Sequence, residues 1–498
     1  MIEVGGFEIP KEDWESTPAS VRELVGKLVK ENEELRARVR QLEERLNQVE
    51  ERINQNSKNS SRPPSQDKLG EKGEKRGKPS GQKRGGQKGH KGHERKLYEA
   101  QECRSIEEVK PEVCGHCGEK LRGEDAEPYR HQVVEIPPVK PEIREYRLHQ
   151  LKCEYCGKKT RAKLPKGVTQ RGYGERLSGL VGLLSGRHHQ SHGLVQELLT
   201  EVFGVSISRG GINRLRQELS EALAPSVAQA QAYIQSQEVM NSDETGFAQH
   251  NGDGQNPEAK RGWLWALVTP LVSSFEIVLS RSQATAQSLM GTGFKGIVIS
   301  DRYGAYNWLP LEQRQICWAH LQRDFTAMSQ RSGVSADIGD ALLRRQQRLF
   351  RWWHRVRDGT LSPDLFEAAV AHLRLGFQQE LTNAANLTVG SQEKTPLAKT
   401  VRTCRQLLKV EPAFWTFVHH PLVEPTNNAA ERALRPAVIW RRLSLGSQSL
   451  GGSQFVSRLL TVTTSLRAQN RSVLDFLTQA CHASRFQLEP PSLLPVDP

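Results

Sequence analysis

Two aspartates in the C-terminal half of the sequence stand where acids can bind metal ions. Asp243 follows the β-rich run EVMNS, and Asp301 follows IVIS. A carboxylate at the end of a buried strand is costly unless a positive charge faces it. Two Mg²⁺ or Mn²⁺ ions bridged by carboxylates can supply that charge, activate a water or a 3′-hydroxyl, and stabilise the leaving oxygen of a phosphodiester. The pattern predicts such a site, which two aspartates alone do not complete.

Glu431 is the candidate for the third acid. It lies in PTNNAAERALRP, residues 425–436, on a segment that follows the β-rich runs. A ribonuclease H-like fold takes its third metal-binding acid from such a helix, often beyond a large insertion. Two structural roles compete: Asn428 and Glu431 have the spacing of a capping box, and Glu431 and Arg435 that of an i,i+4 ion pair, each contributing about 1 kcal/mol or less. Because of the two aspartates upstream, we predict that Glu431 is catalytic.

Other charged residues near these acids are given supporting roles. Glu244 is expected on the opposite face of its strand from Asp243, and Asp324 lies in the basic helix HLQRDF, so both are fallback ligands only. Cations near a developing phosphorane stabilise it, and a solvated ion pair is the alternative role. The residues expected to shape the site or bind phosphates are His320, Arg323, Arg432 and Arg435.

The elements that must position the acids follow from the texture after residue 237. Short β-rich runs predict three strands in EVMNSDETGF, RGWLWALVTP and SSFEIVLS, then a helix in SQATAQSLMG. Two more strands are predicted in GFKGIVISDRYGAY and QICWAH. The predicted order is therefore three strands, a helix and two strands.

Four of the eight cysteines form two C-x-x-C-G pairs, Cys114 with Cys117 and Cys153 with Cys156. The glycine lets the chain turn so that both thiolates face one ion, and four sulfurs suit a tetrahedral, structural Zn²⁺. The spacer of 35 residues predicts strands between the pairs, in HQVVEIP and EIREYRLHQLKC. Two pairs of buried or redox-active free cysteines are the alternative.

Residues 21–53 carry the heptad pattern of a coiled coil. The d positions are Val21, Leu28, Leu35, Leu42 and Val49, and the a positions are Val25, Asn32, Val39, Leu46 and Ile53. The pairs from g to the next e have opposite charges: Glu31 with Arg36, Arg38 with Glu43, and Arg45 with Glu50. These features predict a parallel homodimer, and a single amphipathic helix docked on its own domain is the alternative.

Residues 54–96 are strongly basic. They contain 13 Lys or Arg against four acids and scarcely any apolar residue to bury. Such a composition predicts a segment that is disordered when free, and its charge would neutralise several phosphates. We interpret it as a linker that also holds DNA.

Helical periodicity returns between residues 176 and 220. It breaks at FGVSIS, and Ser208 is a candidate N-cap for the following helix. This pattern resembles a helix-turn-helix, although a plain helical hairpin would give a similar one. The residues that would line the recognition helix are Arg209, Asn213, Arg214 and Arg216.

The overall charge favours a polyanionic partner. Lys and Arg number 70 against 57 Asp and Glu, giving a net charge of +13, which points to nucleic acid. No apolar run approaches the roughly 18 residues of a membrane span. The start, MIEVGGFEIPKEDWE, lacks the regions of a signal peptide. We expect a cytoplasmic, nucleoid-associated protein without a membrane partner.

The order of these motifs resembles that of the insertion sequence 66 family of transposases over nearly the whole chain. The resemblance rests on the heptads, NSKNSSRPPSQD, GGQKGHKGH, the paired C-x-x-C motifs, DET, SDRYGAY, CWAHLQRDF and NNAAERALRP. It implies that Asp243, Asp301 and Glu431 take the places of the family's three DDE acids. It also implies small accessory proteins as partners. After Glu431, IWRRLSLGSQSLGGSQF is only loosely similar to the family's usual sequence.

The same resemblance concerns the segment after the second acid. Cys317 and His320 resemble a C-x-x-H element that follows the second acid in several DDE families, where it would shape the site or contact DNA. A buried cysteine and a histidine at the edge of the core are the alternative. The region between Asp301 and Glu431 is similar to the mostly helical insertions of such enzymes, and the basic run at 344–358 has that character.

The predicted fold is therefore multidomain. Its parts are a coiled-coil segment (1–53), a basic arm (54–96), a zinc ribbon-like module (97–170), helix-turn-helix-like helices (171–235), an α/β ribonuclease H-like catalytic core (236–330 and 424–470) with a helical insertion (331–423), and a C-terminal tail (471–498). The predicted function is a DNA transposase that cleaves element ends and transfers strands. The alternatives are a zinc-containing DNA-binding regulator with an inactive catalytic domain, and a structure-selective ribonuclease H-like nuclease.

Overall fold

The structure, a computed structural model, describes residues 1–4, 6–60 and 95–495. Its first elements are an antiparallel hairpin of β1 (Ile2–Val4) and β2 (Phe7–Ile9), then α1 (Lys11–Ser16) and α2 (Ala19–Ile53). Most of the predicted basic arm, residues 61–94, lies outside the described residues.

Helix α2 covers the predicted heptad segment, and its seam is open to solvent. Leu28, Leu42 and Leu46 are 55%, 57% and 59% exposed. The helix is therefore formed as the heptads indicate, and other described residues leave its apolar stripe uncovered. The dimer itself stays a prediction.

Residues 95–170 contain little regular structure. They form a 3₁₀ turn (Ala100–Glu102) and a hairpin of β3 (Gln150–Lys152) and β4 (Lys159–Arg161). The strands predicted in HQVVEIP and EIREYRLHQLKC are wrong except for residues 150–152. The reason is that Val133 and Ile136 are 81% and 80% exposed, so they pack against no sheet, and an unpaired strand has no ladder to stabilise it.

The following segment consists of helices in the predicted order. They are α3 (Glu175–Gly182), which continues into a π-helical turn (Leu183–Arg187), α4 (His192–Phe203) and α5 (Arg209–Gln235). Gly204 ends α4 with a left-handed φ of 63°. Ser208 caps α5, because its Oγ accepts the backbone N–H of Gly211 at 3.1 Å. The N-cap prediction is confirmed.

The centre of the fold is a mixed five-stranded sheet. Its strands are β5 (Val239–Gly246), β6 (Trp263–Val268), β7 (Ser273–Val278), β8 (Ile297–Ser300) and β9 (Arg314–Ile316), with α6 (Gln283–Met290) between β7 and β8. The strand order is β7-β6-β5-β8-β9. β5, β6 and β7 are antiparallel neighbours, whereas β8 runs parallel to β5 and β9 parallel to β8. The predicted order of three strands, a helix and two strands is observed.

Five helices follow the sheet before the chain returns to it. They are α7 (Trp318–Ser329), α8 (Val334–Arg357), α9 (Pro363–Ala385), α10 (Pro396–Lys409) and α11 (Thr416–His419). Trp318, Phe377 and Trp415 meet in their core with ring centroids 5.1 to 5.7 Å apart. Ile299 and Ile316 belong to the same core, so these helices pack against the β8–β9 edge of the sheet.

The last three helices are α12 (Asn428–Ser444), α13 (Leu450–Ala468) and α14 (Val473–Phe486). Helix α13 lies on β7, and its Thr461 hydroxyl accepts the backbone N–H of Phe275 at 2.9 Å. The interpretation of residues 471–498 as a tail has to be corrected. Phe476 and Leu477 are buried in the main core, because α14 packs on α3 and α5. In the described part of the chain, no helix has the length and apolar character needed to cross a membrane.

Candidate active site

Asp243 lies in β5, and Asp301 directly follows β8, the parallel neighbour of β5. Asn241 on β5 pairs with Ile299 on β8, and the same register continued by two residues places Asp243 opposite Asp301. Side chains two residues apart share a face of the sheet, and neighbouring strands are about 4.8 Å apart. The two aspartates therefore stand side by side where β8 ends.

The electrostatic environment of Asp243 is strongly negative. Its pKa is raised well above the usual range, first by burial and then by the charges of Glu244, Asp301 and Glu431. The backbone N–H of Glu244 donates to Asp243 Oδ1 at 2.9 Å and acts in the opposite direction. Asp301 Oδ1 likewise accepts the backbone N–H of Tyr303 at 2.8 Å. This concentration of negative charge is the environment that a divalent cation relieves.

Asn427 fixes the start of the helix that carries Glu431. It is fully buried, and its Nδ2 donates to the Ser242 carbonyl at 2.7 Å while its Oδ1 accepts from Asn241 Nδ2 at 3.0 Å. Its backbone N–H donates to Cys317 Sγ at 3.1 Å. Both side-chain bonds go to β5, the strand of Asp243. Since Glu431 lies one turn further along α12, this anchor fixes its position relative to β5.

The two structural roles considered for Glu431 are not observed. The N-cap of α12 is Asn427, one residue earlier than a capping box with Asn428 requires, and it makes no side-chain cap bond. The reason is that its amide is used by β5. Among the described residues, Glu431 lies near His320 and Arg323 rather than in an ion pair with Arg435.

Glu431 faces a small group of polar atoms on α7. Its Oε1 is 3.8 Å from His320 Nδ1 and 4.0 Å from Arg323 Nη2. Both Glu431 Oε1 and His320 Nδ1 are buried without a hydrogen-bond partner. Cys317 is fully buried beside them, and burial raises the pKa of its thiol to about 11. Cys317, His320 and Glu431 each place one ligand atom within 4.8 Å of the others.

The three predicted acids do not form an equally compact group. In the part of the chain that the structure describes, ligand atoms of Asp243, Asp301 and Glu431 do not all come within 4.8 Å of one another. A two-metal site does not require all three acids to be so close. Its two ions are about 3.5 to 4 Å apart, so carboxylates that bind different ions are further from each other than ligands of one ion. Glu431 is therefore grouped most closely with the Cys317–His320 pair, and its charge also raises the pKa of Asp243.

The two fallback acids already have partners. Glu244 accepts from Arg281 Nε at 2.8 Å and from the Tyr306 hydroxyl at 2.5 Å, and its side chain is buried on the other side of β5. Asp324 is bonded to Arg302. A carboxylate held by an arginine is less available to a metal ion. These contacts agree with the prediction that Glu244 and Asp324 are only fallback ligands.

Most of the predicted DNA-binding residues are exposed, at two places, but the prediction that Arg216 lines the recognition surface is wrong. Its guanidinium is half-buried 4.2 Å from the centre of the Phe455 ring, and burial lowers its pKa to about 10. Arg209, Asn213 and Arg214 lie exposed in the first turns of α5. Arg432 and Arg435 are exposed on α12. Arg432 also lines a cleft of about 850 Å³ beside α12, together with Arg187 and Arg467. Exposed guanidinium groups are the usual partners of a phosphate backbone.

Each cysteine pair forms a turn suited to a metal ion. The backbone N–H of Gly118 donates to the Cys114 carbonyl, and that of Gly157 to the Cys153 carbonyl, both at 2.9 Å. Gly118 and Gly157 have φ angles of 78° and 71°, which favour glycine. Backbone N–H groups lower the pKa of Cys114 and of Cys153, which favours thiolate. Among the described residues, the four cysteines do not gather into one cluster.

Several residues that shape this site were missed in the sequence. Asn427 precedes Asn428, the residue that the sequence suggests as the capping residue. Only the observed start of α12 shows that Asn427 is the N-cap. Arg281 and Tyr306 hold Glu244 and come from a loop and a 3₁₀ turn whose positions depend on the tertiary fold. Asn241 could have been noted, because it lies two residues before Asp243 and so on the same face.

The comparison with protein families covers the part of the chain that contains these residues. Residues 183–455, more than half of the chain, match the family described as "Transposase IS66 family". The chain belongs to the IS66 transposase family. The family match contains the sheet, all three acids and the Cys317–His320 pair, whereas the cysteine knuckles lie before it. Residues 11–96 match a "Family of unknown function (DUF6444)".

A curated relative of this IS66 family chain is "Uncharacterized protein y4qI" of Sinorhizobium fredii (strain NBRC 101917 / NGR234). It is 27% identical over 254 residues, which are 46% of this chain and 44% of the relative. The chain thus spans less than half the length of that relative.

Proposed function

We propose that this IS66 family protein is a DNA transposase that cleaves the ends of an insertion element and joins the freed 3′-hydroxyl to target DNA. The observation that carries the proposal is the position of Asp243 beside Asp301, with Glu431 anchored next to the same strand by Asn427. The strand order, antiparallel then parallel, and a third acid on a later helix support a ribonuclease H-like catalytic domain.

Asp243, Asp301 and Glu431 would hold the divalent cations, Mg²⁺ or Mn²⁺. Two observations support that fit: the raised pKa of Asp243 and the buried Glu431 Oε1 without a hydrogen-bond partner. When bound, such ions supply an activated nucleophile and stabilise the leaving oxygen of a phosphodiester.

The chain's own residues prepare this site. Backbone N–H groups of Glu244 and Tyr303 each fix one carboxyl oxygen of an aspartate and leave the second oxygen of each without that bond. Arg323, 4.0 Å from Glu431, adds positive charge where phosphate charge develops. Sheet and helices hold the groups before substrate arrives, so little reorganisation is needed.

The N-terminal half would bind DNA and assemble the active complex. The exposed seam of α2 supports a homodimer, with Asn32 and the three charged g–e pairs setting its register. The knuckle cysteines Cys114, Cys117, Cys153 and Cys156 would hold a structural Zn²⁺, which joins two turns that the chain alone keeps apart. Arg209, Asn213 and Arg214 on α5 would contact element ends. Small accessory proteins are proposed as further partners.

Incubation of the full-length protein with DNA of the flanking element ends, with and without Mg²⁺, tests the proposal. Breaks at the element boundary followed by joined products are expected only with Mg²⁺. A DNA-binding regulator would bind the ends and leave them intact in both conditions. A structure-selective nuclease would cut branched DNA and join nothing. Either result would overturn the proposal.

A further inference from the structure

The C-x-x-H motif is held against the sheet at the position where Asp301 leaves it. The backbone N–H of Cys317 donates to the Ser300 carbonyl at 2.8 Å, one residue before Asp301. Cys317 is the N-cap of α7, and His320 follows three residues later, so both side chains point to the same end of the helix. Helix α12 closes this space from the other side, because the Asn427 N–H donates to Cys317 Sγ.

The three potential ligands converge on one point. One ligand atom each of Cys317, His320 and Glu431 lies within 4.8 Å of the other two. Among the described residues, no other group of three or more His, Cys, Asp or Glu side chains has its ligand atoms within 4.8 Å of one another. They come from two helices separated by more than 100 residues, so their approach is a product of tertiary folding.

Two of the ligand atoms lack what a buried polar atom normally has. His320 Nδ1 and Glu431 Oε1 are buried, 3.8 Å apart, and neither has a hydrogen-bond partner. An unsatisfied buried polar atom costs about 1 to 3 kcal/mol. A separation of 3.8 Å is too long for a direct hydrogen bond, whereas two ligands of one metal ion are about 3 to 4 Å apart when each bond is about 2.0 to 2.3 Å long.

We propose that Cys317, His320 and Glu431 form a site for Zn²⁺ or a chemically similar transition metal, separate from the cysteine knuckles. The donor set decides the class of metal, because thiolate and imidazole ligands favour Zn²⁺ and its neighbours over Mg²⁺. Three protein ligands leave one coordination position open. The ion would enter past His320 and Glu431, whose side chains are 23% and 32% exposed, because Cys317 is fully buried.

The site shares Glu431 with the proposed catalytic centre, and only this consequence rests on the proposed function. A Glu431 carboxylate that is bound to a transition metal beside Cys317 cannot also bind a Mg²⁺ ion held by Asp243 and Asp301. Bound zinc would thus compete with Mg²⁺ for Glu431 at the edge of the catalytic site.

Zinc content and cobalt spectra of the full-length protein test the inference. Wild type saturated with Zn²⁺ and then dialysed should retain about two equivalents per chain, one of them in the knuckles. Cys317→Ser and His320→Ala should each retain about one equivalent less. Cys404→Ser is the matched control, since Cys404 is another fully buried thiol outside this group. In Co²⁺ protein, part of the thiolate charge-transfer absorption should disappear in Cys317→Ser and persist in Cys404→Ser.

Equal zinc content and equal cobalt spectra in wild type and His320→Ala would overturn the inference. His320→Ala carries the test if Cys317→Ser fails to fold, because the histidine is partly exposed. The outcome is separable from that of the proposed function. Mg²⁺-dependent cleavage without zinc at this site removes only the inference, and zinc at this site without any cleavage removes only the proposed function.

Discussion

The apolar side chains of the sheet-centred part, residues 175–495, are mostly buried, whereas many of those in the described residues of the N-terminal part, 1–4, 6–60 and 95–165, are exposed. In the first, Trp265 and Trp318 are 1% and 0% exposed. In the second, Leu35 is 55% and Tyr129 is 91% exposed. The sheet-centred part buries its large apolar side chains in its own core, whereas the N-terminal part exposes them to solvent. Exposed apolar patches are typical of surfaces that bind a partner.

The difference identifies what each part needs in order to function. The carboxylate site is assembled by packing and hydrogen bonds within one chain, so it should exist before metal or DNA arrives. The cysteine knuckles and the α2 helix are each formed by residues that are close together in the sequence. We expect a second copy to cover α2 and a metal ion to join the knuckles, because binding of either stabilises the folded state by mass action.

The largest effect expected from the contrast between the two parts is on association through α2. Leu35→Glu places a charge at a d position, where burial in a dimer seam costs several kcal/mol, so the dimer should weaken by at least about 100-fold. Sedimentation of the full-length protein measures it. Ala37→Glu, at the outward f position of the same heptad, is the control and should leave the dimer intact. A monomeric wild type would show that α2 needs no second copy.

A smaller effect is expected within the self-contained part. Asn427→Ala should lower the free energy of unfolding by about 1 to 3 kcal/mol, because it leaves the Ser242 carbonyl and the Asn241 amide without partners. Cleavage should fall as well, since Glu431 loses its anchor. Denaturant unfolding and cleavage rates measure both. Asn428→Ala is the matched control: Asn428 is exposed, and full activity and stability are expected. Equal behaviour of the two variants would contradict the anchoring role.

The smallest expected effect is a pH dependence from Asp243. Its folded-state pKa is raised, so without metal its stabilising contribution is complete below the unfolded-state value of about 4 and is lost as pH rises through the folded-state value. Metal must displace that proton, so stabilisation by Mg²⁺ should increase with pH. Thermal unfolding at several pH values measures this, and Asp243→Asn should flatten it. A Mg²⁺ effect independent of pH would contradict the account.

The sequence was sufficient where a local pattern determines the structure. Ser208 was recognised as a cap because an N-cap depends on neighbouring residues only. The strand and helix order after residue 237 follows from periodicity. Asp301 directly follows β8 as expected, whereas Asp243 lies inside β5 rather than at its end. The strands between the knuckles could not be judged in this way, since the apolar residues of HQVVEIP are typical of a strand but, in the described part of the chain, find no pairing partner.

Other features depend on contacts between distant residues. The choice between Asn427 and Asn428 depends on where α12 begins, which its contact with β5 decides. The sequence places Phe476 and Leu477 in a C-terminal tail, yet both lie in α14, which packs on α3 and α5. The approach of Glu431 to Cys317 and His320 joins α12 to α7 and follows from no spacing in the sequence.

The central claim is that Glu431 belongs to one metal-binding site with Asp243 and Asp301. The most direct test compares Mg²⁺-dependent cleavage of element-end DNA by Glu431→Gln and by Glu221→Gln, an exposed glutamate on α5, with DNA binding measured on the same samples. Glu431→Gln should bind DNA at least as tightly as wild type and lose cleavage by about 1000-fold, whereas Glu221→Gln should retain both. Cleavage by Glu431→Gln at the wild-type rate would contradict the account.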